Sequence, residues 1–456
     1  MPPKTIASPI TEGVIWKQLL TFFFPILLGT FFQQMYNTVD TIIVGRFVGT
    51  QALAAVGATS AFVNLVNGFF IGLSTGATVI LSQFYGAGDR KGIHNAIHTG
   101  VLLSVILGAA TAVAGICFAP TVMRLSNTPA NCIDNAILYC SIYFSGAIFS
   151  MVYNMGAGIL RAMGDSRRPM IFLIITCLLN IVMDLLFVVV FKLGVAGAAI
   201  ATVVSQCISA ALILVVLCRL PEHPLQLKDL RLRKDLLLRI LQIGLPAGLQ
   251  FVTFDISNVL IQSGINSFGD ITIAAWTAYI KTDSLTWMIS GAFGVAITTF
   301  VGQNFGAQKY ARVRQSVWVC MGMSVALMAV VSSLMLLLRH GILGIYTTDP
   351  EVVRVGAYVM LWIVPFNVLF MPVEVFAGTM RGTGYSTVPT VITCVFVCLF
   401  RVLWVILIVS RWHTIEMLAL AYPISWALAT VAFYVSYLRG NWLSKRIADC
   451  GMEPEI

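Results

Sequence analysis

Four polar residues interrupt the first apolar stretch of the chain. Gln33, Tyr36, Asn37 and Asp40 recur at i, i+3, i+4 and i+7, a spacing that a helix places on one face. The residues before them, Leu19 to Phe32, are apolar enough to begin a membrane span. An ionised aspartate inside a bilayer costs about 2.5–3.5 kcal/mol on insertion scales. It therefore turns toward protein or a water-filled cavity, and the polar stripe marks that side of the helix.

Asn180 and Asp184 form a second pair at i, i+4, and Thr202 with Gln206 repeats the spacing further on. Oxygen-rich faces on three helices can meet in a small hydrated pocket. A carboxylate there can take up a proton, because burial and a second carboxylate both favour the neutral form. The same Asp, Asn and Thr oxygens can instead coordinate sodium, or merely join helices. The C-terminal half offers a different set. Asp255, Asn258 and Gln262 make a stripe at 0, 3 and 7, and Lys281, Asp283, Glu374 and Arg401 also fall inside apolar segments. Buried charges are usually paired, so Lys281 is expected to meet Asp283 or Glu374, and Arg401 another acid.

The elements that position these residues are membrane helices. The 456 residues are 58% hydrophobic and 10% charged, which excludes a soluble globular chain. Twelve apolar windows start near Leu19, Ala52, Ile93, Ile133, Pro169, Val195, Ile240, Ile271, Val313, Val352, Val388 and Ile415. Neither a separate soluble domain nor a cleavable signal is expected. The net charge of +9 sits asymmetrically: the even-numbered loops and both tails hold twenty Lys/Arg, the opposite loops five (Arg46, Arg124, Lys192, Arg339 and Arg411). That is the positive-inside pattern. It puts both termini in the cytoplasm and leaves no reason to invoke nucleic acid.

An internal repeat divides the chain. Gln83 to Ala87 recurs as Gln303 to Ala307, and Gly158 to Gly164 as Gly378 to Gly384, both 220 residues on. Equivalent spans are thus six apart, and the halves share one orientation about an axis along the membrane normal. The expected fold is an all-α polytopic protein of two six-helix lobes, residues 1–218 and 240–438. A charged linker (219–239) and a tail (439–456) complete the chain, both cytoplasmic. The linker's leucines among Lys/Arg suggest an amphipathic surface helix. Two such lobes imply an alternating-access transporter with a cleft between them, which Gln34, Met35, Met151 and Asn154 are expected to line. The repeat sets Ile261 opposite Asp40 and Trp404 opposite Asp184, so ion coupling is expected in the N-terminal lobe alone.

Little else suggests chemistry. The ten cysteines show no paired spacing and read as small buried apolar residues. His94 and His98 would suit a metal at i, i+4, but with no further ligand nearby in sequence a solvated helix end is expected. There is no phosphate loop and no catalytic constellation, so neither an enzyme nor a nucleotide-driven pump is expected.

Pro25 to Gly45 with Tyr36-Asn-Thr-Val-Asp40, the Gln83–Gly86 turn, Gly158 to Ser166 and Leu179 to Asp184 resemble the multidrug and toxic compound extrusion (MATE) family, in particular its DinF-type prokaryotic branch. The resemblance covers both halves. It implies a monomeric antiporter of the inner membrane, needing no cofactor. Such a protein exports amphipathic, often cationic drugs in exchange for H+ or Na+, among membrane lipid. In that branch the N-lobe site matches Asp40, Asn180, Asp184 and Thr202, with Tyr36 beside them; Asn37 and Gln206, on the same polar faces by spacing, are expected to support it. A C-lobe sodium site, known in the sodium-coupled branch, would need an acid where this chain has Phe370; Asp255 and Glu374 are the nearby acids. The rival is a lipid-linked sugar flippase, which would favour a strongly cationic cleft.

Overall fold

The computed structural model describes residues 10–126, 128–439 and 442–449, and every regular element among them is helical. Eleven helices are long and apolar enough to cross a membrane. In the N-terminal half they are span 1 (Ile15–Phe47), span 2 (Thr50–Ala87), span 3 (Arg90–Leu125), span 5 (Arg167–Val190) and span 6 (Gly194–Cys218). Span 4 is broken: Ile133–Ser145 and Ala147–Ala162 meet at 46° and together make the twelfth crossing. The C-terminal half has spans 7 to 12: Lys234–Asn266, Asp270–Gly306, Tyr310–Leu337, Pro350–Gly382, Thr387–Val409 and Ile415–Arg439.

Local chemistry sets the span ends. Asp89 caps span 3 by accepting from the Gly92 amide at 2.9 Å, and Asp349 caps span 10 by accepting from Glu351 at 2.9 Å, with Pro350 as first residue. On span 5 the two faces separate cleanly. Ile175, Leu178 and Val182 are exposed, as lipid-facing residues are, whereas Cys177, Asn180 and Asp184 are buried.

The repeat holds at the level of the backbone. Gly49, Gly88 and Gly164 have positive φ, and so do Gly269, Gln308 and Gly384, each 220 residues on. The π-helical turn Leu185–Val190 after Asp184 recurs as Val405–Val409 after Trp404. The break of span 4 at Gly146 recurs as a 3-10 segment, Val364–Leu369, in span 10.

The chain forms two compact units whose boundaries fall inside spans 1 and 7 rather than in the linker. Residues 24–248 make one; residues 249–456 with 9–23 make the other. Within the first, spans 2 and 7 touch backbone to backbone. A Cβ on Gly72 would lie 2.3 Å from the Gly248 nitrogen, and one on Gly76 2.3 Å from the Ile240 oxygen. Within the second, the Phe23 ring stacks on Phe293 at 4.2 Å.

The linker does not form the expected amphipathic helix. It is irregular but for one 3-10 turn, Leu227–Asp229, and the helix of span 7 already begins at Lys234. Pro221 and Pro224 disfavour helix there. Four of its leucines are held by the first unit: Leu225 and Leu236 are buried in that unit's hydrophobic core, with Leu230 and Leu237 packed against it, whereas Leu227 and Leu232 are exposed. No disulfide occurs among the described residues, and five of the nine described cysteines are buried.

Candidate functional site

Span 4's break creates room beside span 6. A Cβ on Gly146 would lie 2.8 Å from Val203 and 3.1 Å from the Gln206 amide oxygen, so only glycine lets the bend approach. The second half of span 4 then runs past spans 1, 5 and 6 and leaves a cavity of about 50 Å3. Polar side chains from four spans reach it, Gln33 and Tyr36 from span 1, Ser150 and Asn154 from span 4, Thr176 and Asn180 from span 5, and Thr202, Ser205, Gln206 and Ser209 from span 6, between the apolar surfaces of Tyr153, Leu173 and Cys177.

The two acids stand one turn beyond this lining. Asp40 follows Tyr36 by four residues and is 6% exposed; Asp184 follows Asn180 by four and is fully buried. Around them lies a concentration of unsatisfied polar atoms. Asp40 Oδ1, both Asp184 carboxylate oxygens, both Asn180 amide atoms and Ser205 Oγ have no hydrogen-bond partner among the described residues. A buried polar atom left unpaired costs about 1–3 kcal/mol, so this many in one place have the chemistry to take a proton, a cation or water. The acceptor-rich chemistry fits a cation: carboxylate, amide and hydroxyl oxygens converge, and no Lys or Arg lines the cavity.

The other residues singled out by the sequence fall in different places. Asn154 and Gln206 line the cavity, and Asn154 donates to the Ser150 carbonyl at 2.9 Å. Gln34 and Asn37 are exposed and Met35 is half-buried, all outside the lining, so the stripe on span 1 is split. Met151 is not a cleft residue: it is completely buried in a cluster with Phe70 and Leu73. Sequence reasoning missed Ser150, Thr176, Ser205 and Ser209. The signal was available, since Thr176–Asn180 and Ser205–Ser209 are further i, i+4 pairs on the same spans.

In the C-terminal unit the expected ion pairs do not form. Lys281 is exposed and joins no ion pair among the described residues. Being two positions from Asp283, it leaves span 8 on the opposite side. Asp283 is instead saturated by neutral donors: Thr286 Oγ1 at 2.8 Å, Trp287 Nε1 at 3.0 Å and Asn367 Nδ2 at 3.1 Å. Arg401 joins no ion pair among the described residues. Its Nε donates to Ser425 Oγ at 2.8 Å and its guanidinium lies 4.3 Å from the Tyr422 ring centre. Glu374 meets Arg381 at 3.5 Å, and Asp255 is half-buried.

Comparison with known proteins agrees with this architecture. The family model MatE matches residues 25–186 and again 246–407. The chain is 29% identical over 444 residues to the probable multidrug resistance protein YoeA of Bacillus subtilis (strain 168), covering 95% of each protein. It is 29% identical over 441 residues to YpnP of the same organism, also a probable multidrug resistance protein, covering 97% of this chain and 99% of that one. A solved outward-facing multidrug resistance MATE family transporter of the MOP superfamily superimposes with a TM-score of 0.89 at 22% identity, covering 97% of this chain and 99% of the other. With both repeats matched, the chain belongs to the MatE family.

Proposed function

We propose that this protein is a secondary antiporter that exports amphipathic, often cationic organic molecules across the cell membrane in exchange for H+ or Na+. Asp40, Asn180, Asp184 and Thr202 are the coupling site in this reading. The observation that carries it is the set of unpaired carboxylate and amide atoms beside the N-lobe cavity. The names of the relatives YoeA and YpnP support the substrate class. The asymmetry of basic residues supports cytoplasmic termini.

Exchange requires that ion and cargo each bind one state of the transporter better than another. A carboxylate pair sealed from solvent supplies that difference, because neutralising it changes the cost of burying it. Ion arrival at Asp40 and Asp184 rearranges span 1 and disfavours the state that holds cargo; ion departure restores it. Thr202 donates to the Ala198 carbonyl at 3.1 Å, which leaves its oxygen lone pairs free to serve as a ligand. The flippase alternative is disfavoured, because no cationic residue lines the cavity where a pyrophosphate would need one.

The test is efflux of a fluorescent organic cation from everted vesicles, driven separately by a proton and by a sodium gradient. Wild type is expected to follow one of the two ions, and Asp40→Asn neither. Gradient-driven efflux that survives in Asp40→Asn contradicts the site assignment. Wild type that ignores both gradients contradicts the antiporter.

A further inference from the structure

His94 and His98 sit at i, i+4 near the start of span 3, and the fold supplies the ligand that their sequence neighbourhood lacks. The 3-10 turn of the linker carries Asp229 to within 3.4 Å of His94 Nε2. One ligand atom from each of His94, His98 and Asp229 lies within 4.8 Å of the others. We propose that these three residues form a binding site for a divalent transition metal of the zinc type, which staples the linker to span 3.

The spacing leaves room for a metal between the three groups. Zinc holds imidazole nitrogen and carboxylate oxygen at about 2.0–2.2 Å in a tetrahedron, which sets neighbouring ligand atoms roughly 3.3–3.5 Å apart. The separation of His94 Nε2 and Asp229 Oδ2, 3.4 Å, is such an edge and is long for a hydrogen bond. The two imidazole rings are 4.1 Å apart, centre to centre.

His98 is oriented as metal-binding histidines are. Its Nδ1 lies 2.7 Å from the His94 carbonyl oxygen and donates to it. That fixes the tautomer, so Nε2 carries the lone pair. The lone pair accepts the Gln226 amide at 3.0 Å, an amide of the same linker. Metal binding exchanges this hydrogen bond for a coordinate bond, so the linker is held with or without the ion, but in two arrangements.

Access is suitable. The side chains of His94 and Asp229 are 34% and 39% exposed, which leaves a way in and a fourth position for water, while His98 is buried. The nearby Arg90 faces Glu222 at 3.9 Å. His223, buried with its Nε2 lacking a hydrogen-bond partner, is outside the cluster of three and serves as a control. At the equivalent positions of the other half, 220 residues on, stand Arg314 and Trp318, so the site belongs to one lobe.

The experiment is calorimetric titration of Zn2+ into tag-free, chelator-stripped protein in detergent. Limited trypsin cleavage of the linker, with and without Zn2+, is run in parallel. About one equivalent is expected to bind wild type. His94→Ala and Asp229→Ala should each weaken that binding about tenfold or more, and His223→Ala should leave it unchanged. Zn2+ should slow linker cleavage in wild type and His223→Ala only. His94 and Asp229 are partly exposed, so both variants are expected to fold. Zinc binding that both variants retain at wild-type strength overturns the proposal. So does a wild type that binds no zinc below about millimolar concentration, or a His223→Ala protein that loses binding as His94→Ala does.

Discussion

The two halves of this protein share their backbone devices and differ in how they treat buried charge. Both have a positive-φ glycine after the Gly-x-x-Arg turn, a π-helical turn in the fifth span of the repeat and a break in the fourth. On that common frame the N-lobe buries Asp40 and Asp184 with oxygens left unpaired, whereas the C-lobe buries Asp283 with three neutral donors aimed at it. A carboxylate whose oxygens already accept from three donors has fewer lone pairs left for a proton or cation. One without partners gains the whole interaction. On the proposed reading it is burial without satisfaction, rather than burial alone, that marks a coupling residue.

The sharpest way to break this contrast is to neutralise an acid in each lobe. Asp184→Asn is expected to lower ion-driven efflux by roughly a hundredfold or more, with the protein still folded. Asp283→Asn should leave the dependence on the ion gradient intact. Equal losses in the two variants would erase the distinction between the lobes.

A stability measurement sharpens the comparison from the other side. Asp283→Ala strands the Trp287 and Asn367 donors and should cost about 1–3 kcal/mol, read as a lower melting temperature. Asp184→Ala, which strands no donor of this kind, should cost less. Helix approach gives a third, comparable contrast. Gly72→Ala drives a Cβ into the Gly248 backbone and should destabilise by about 1–3 kcal/mol. Its counterpart 220 residues on is already an alanine, Ala292, so Ala292→Gly should cost no more than about 1 kcal/mol. The smallest effect is expected for Asp255→Asn. That side chain is half-buried and joins no ion pair among the described residues, and stability should move by less than about 0.5 kcal/mol.

Much of this frame was legible in the sequence, because hydropathy and repeat spacing are both one-dimensional signals. Each expected span start falls within a few residues of a helix that crosses. The polar pairs Asn180/Asp184 and Thr202/Gln206 lie on faces that meet, as their spacing implies. What the sequence concealed depends on the third dimension. The π-turn after Asp184 shifts backbone hydrogen bonds without changing any side-chain pattern. Lys281 is expected to meet Asp283 or Glu374 because buried charges are usually paired, yet two residues along a helix point apart and the side chain is exposed. The linker's leucines carried an apolar signal that was read as a membrane-surface helix; Pro221 and Pro224 break the helix, and the lobe's own core takes up Leu225 and Leu236. His94 and His98 lacked a third ligand only along the chain, since Asp229 reaches them through the fold.

The central claim is that Asp40 and Asp184 couple ion movement to cargo movement rather than simply hold the lobe together. Purified protein in liposomes separates the two. Wild type is expected to accumulate an organic cation against its gradient when H+ or Na+ flows the other way, and also to exchange labelled for unlabelled cargo with no ion gradient. Asp40→Asn should retain exchange and lose accumulation. Accumulation that persists in Asp40→Asn at the wild-type rate would contradict the account.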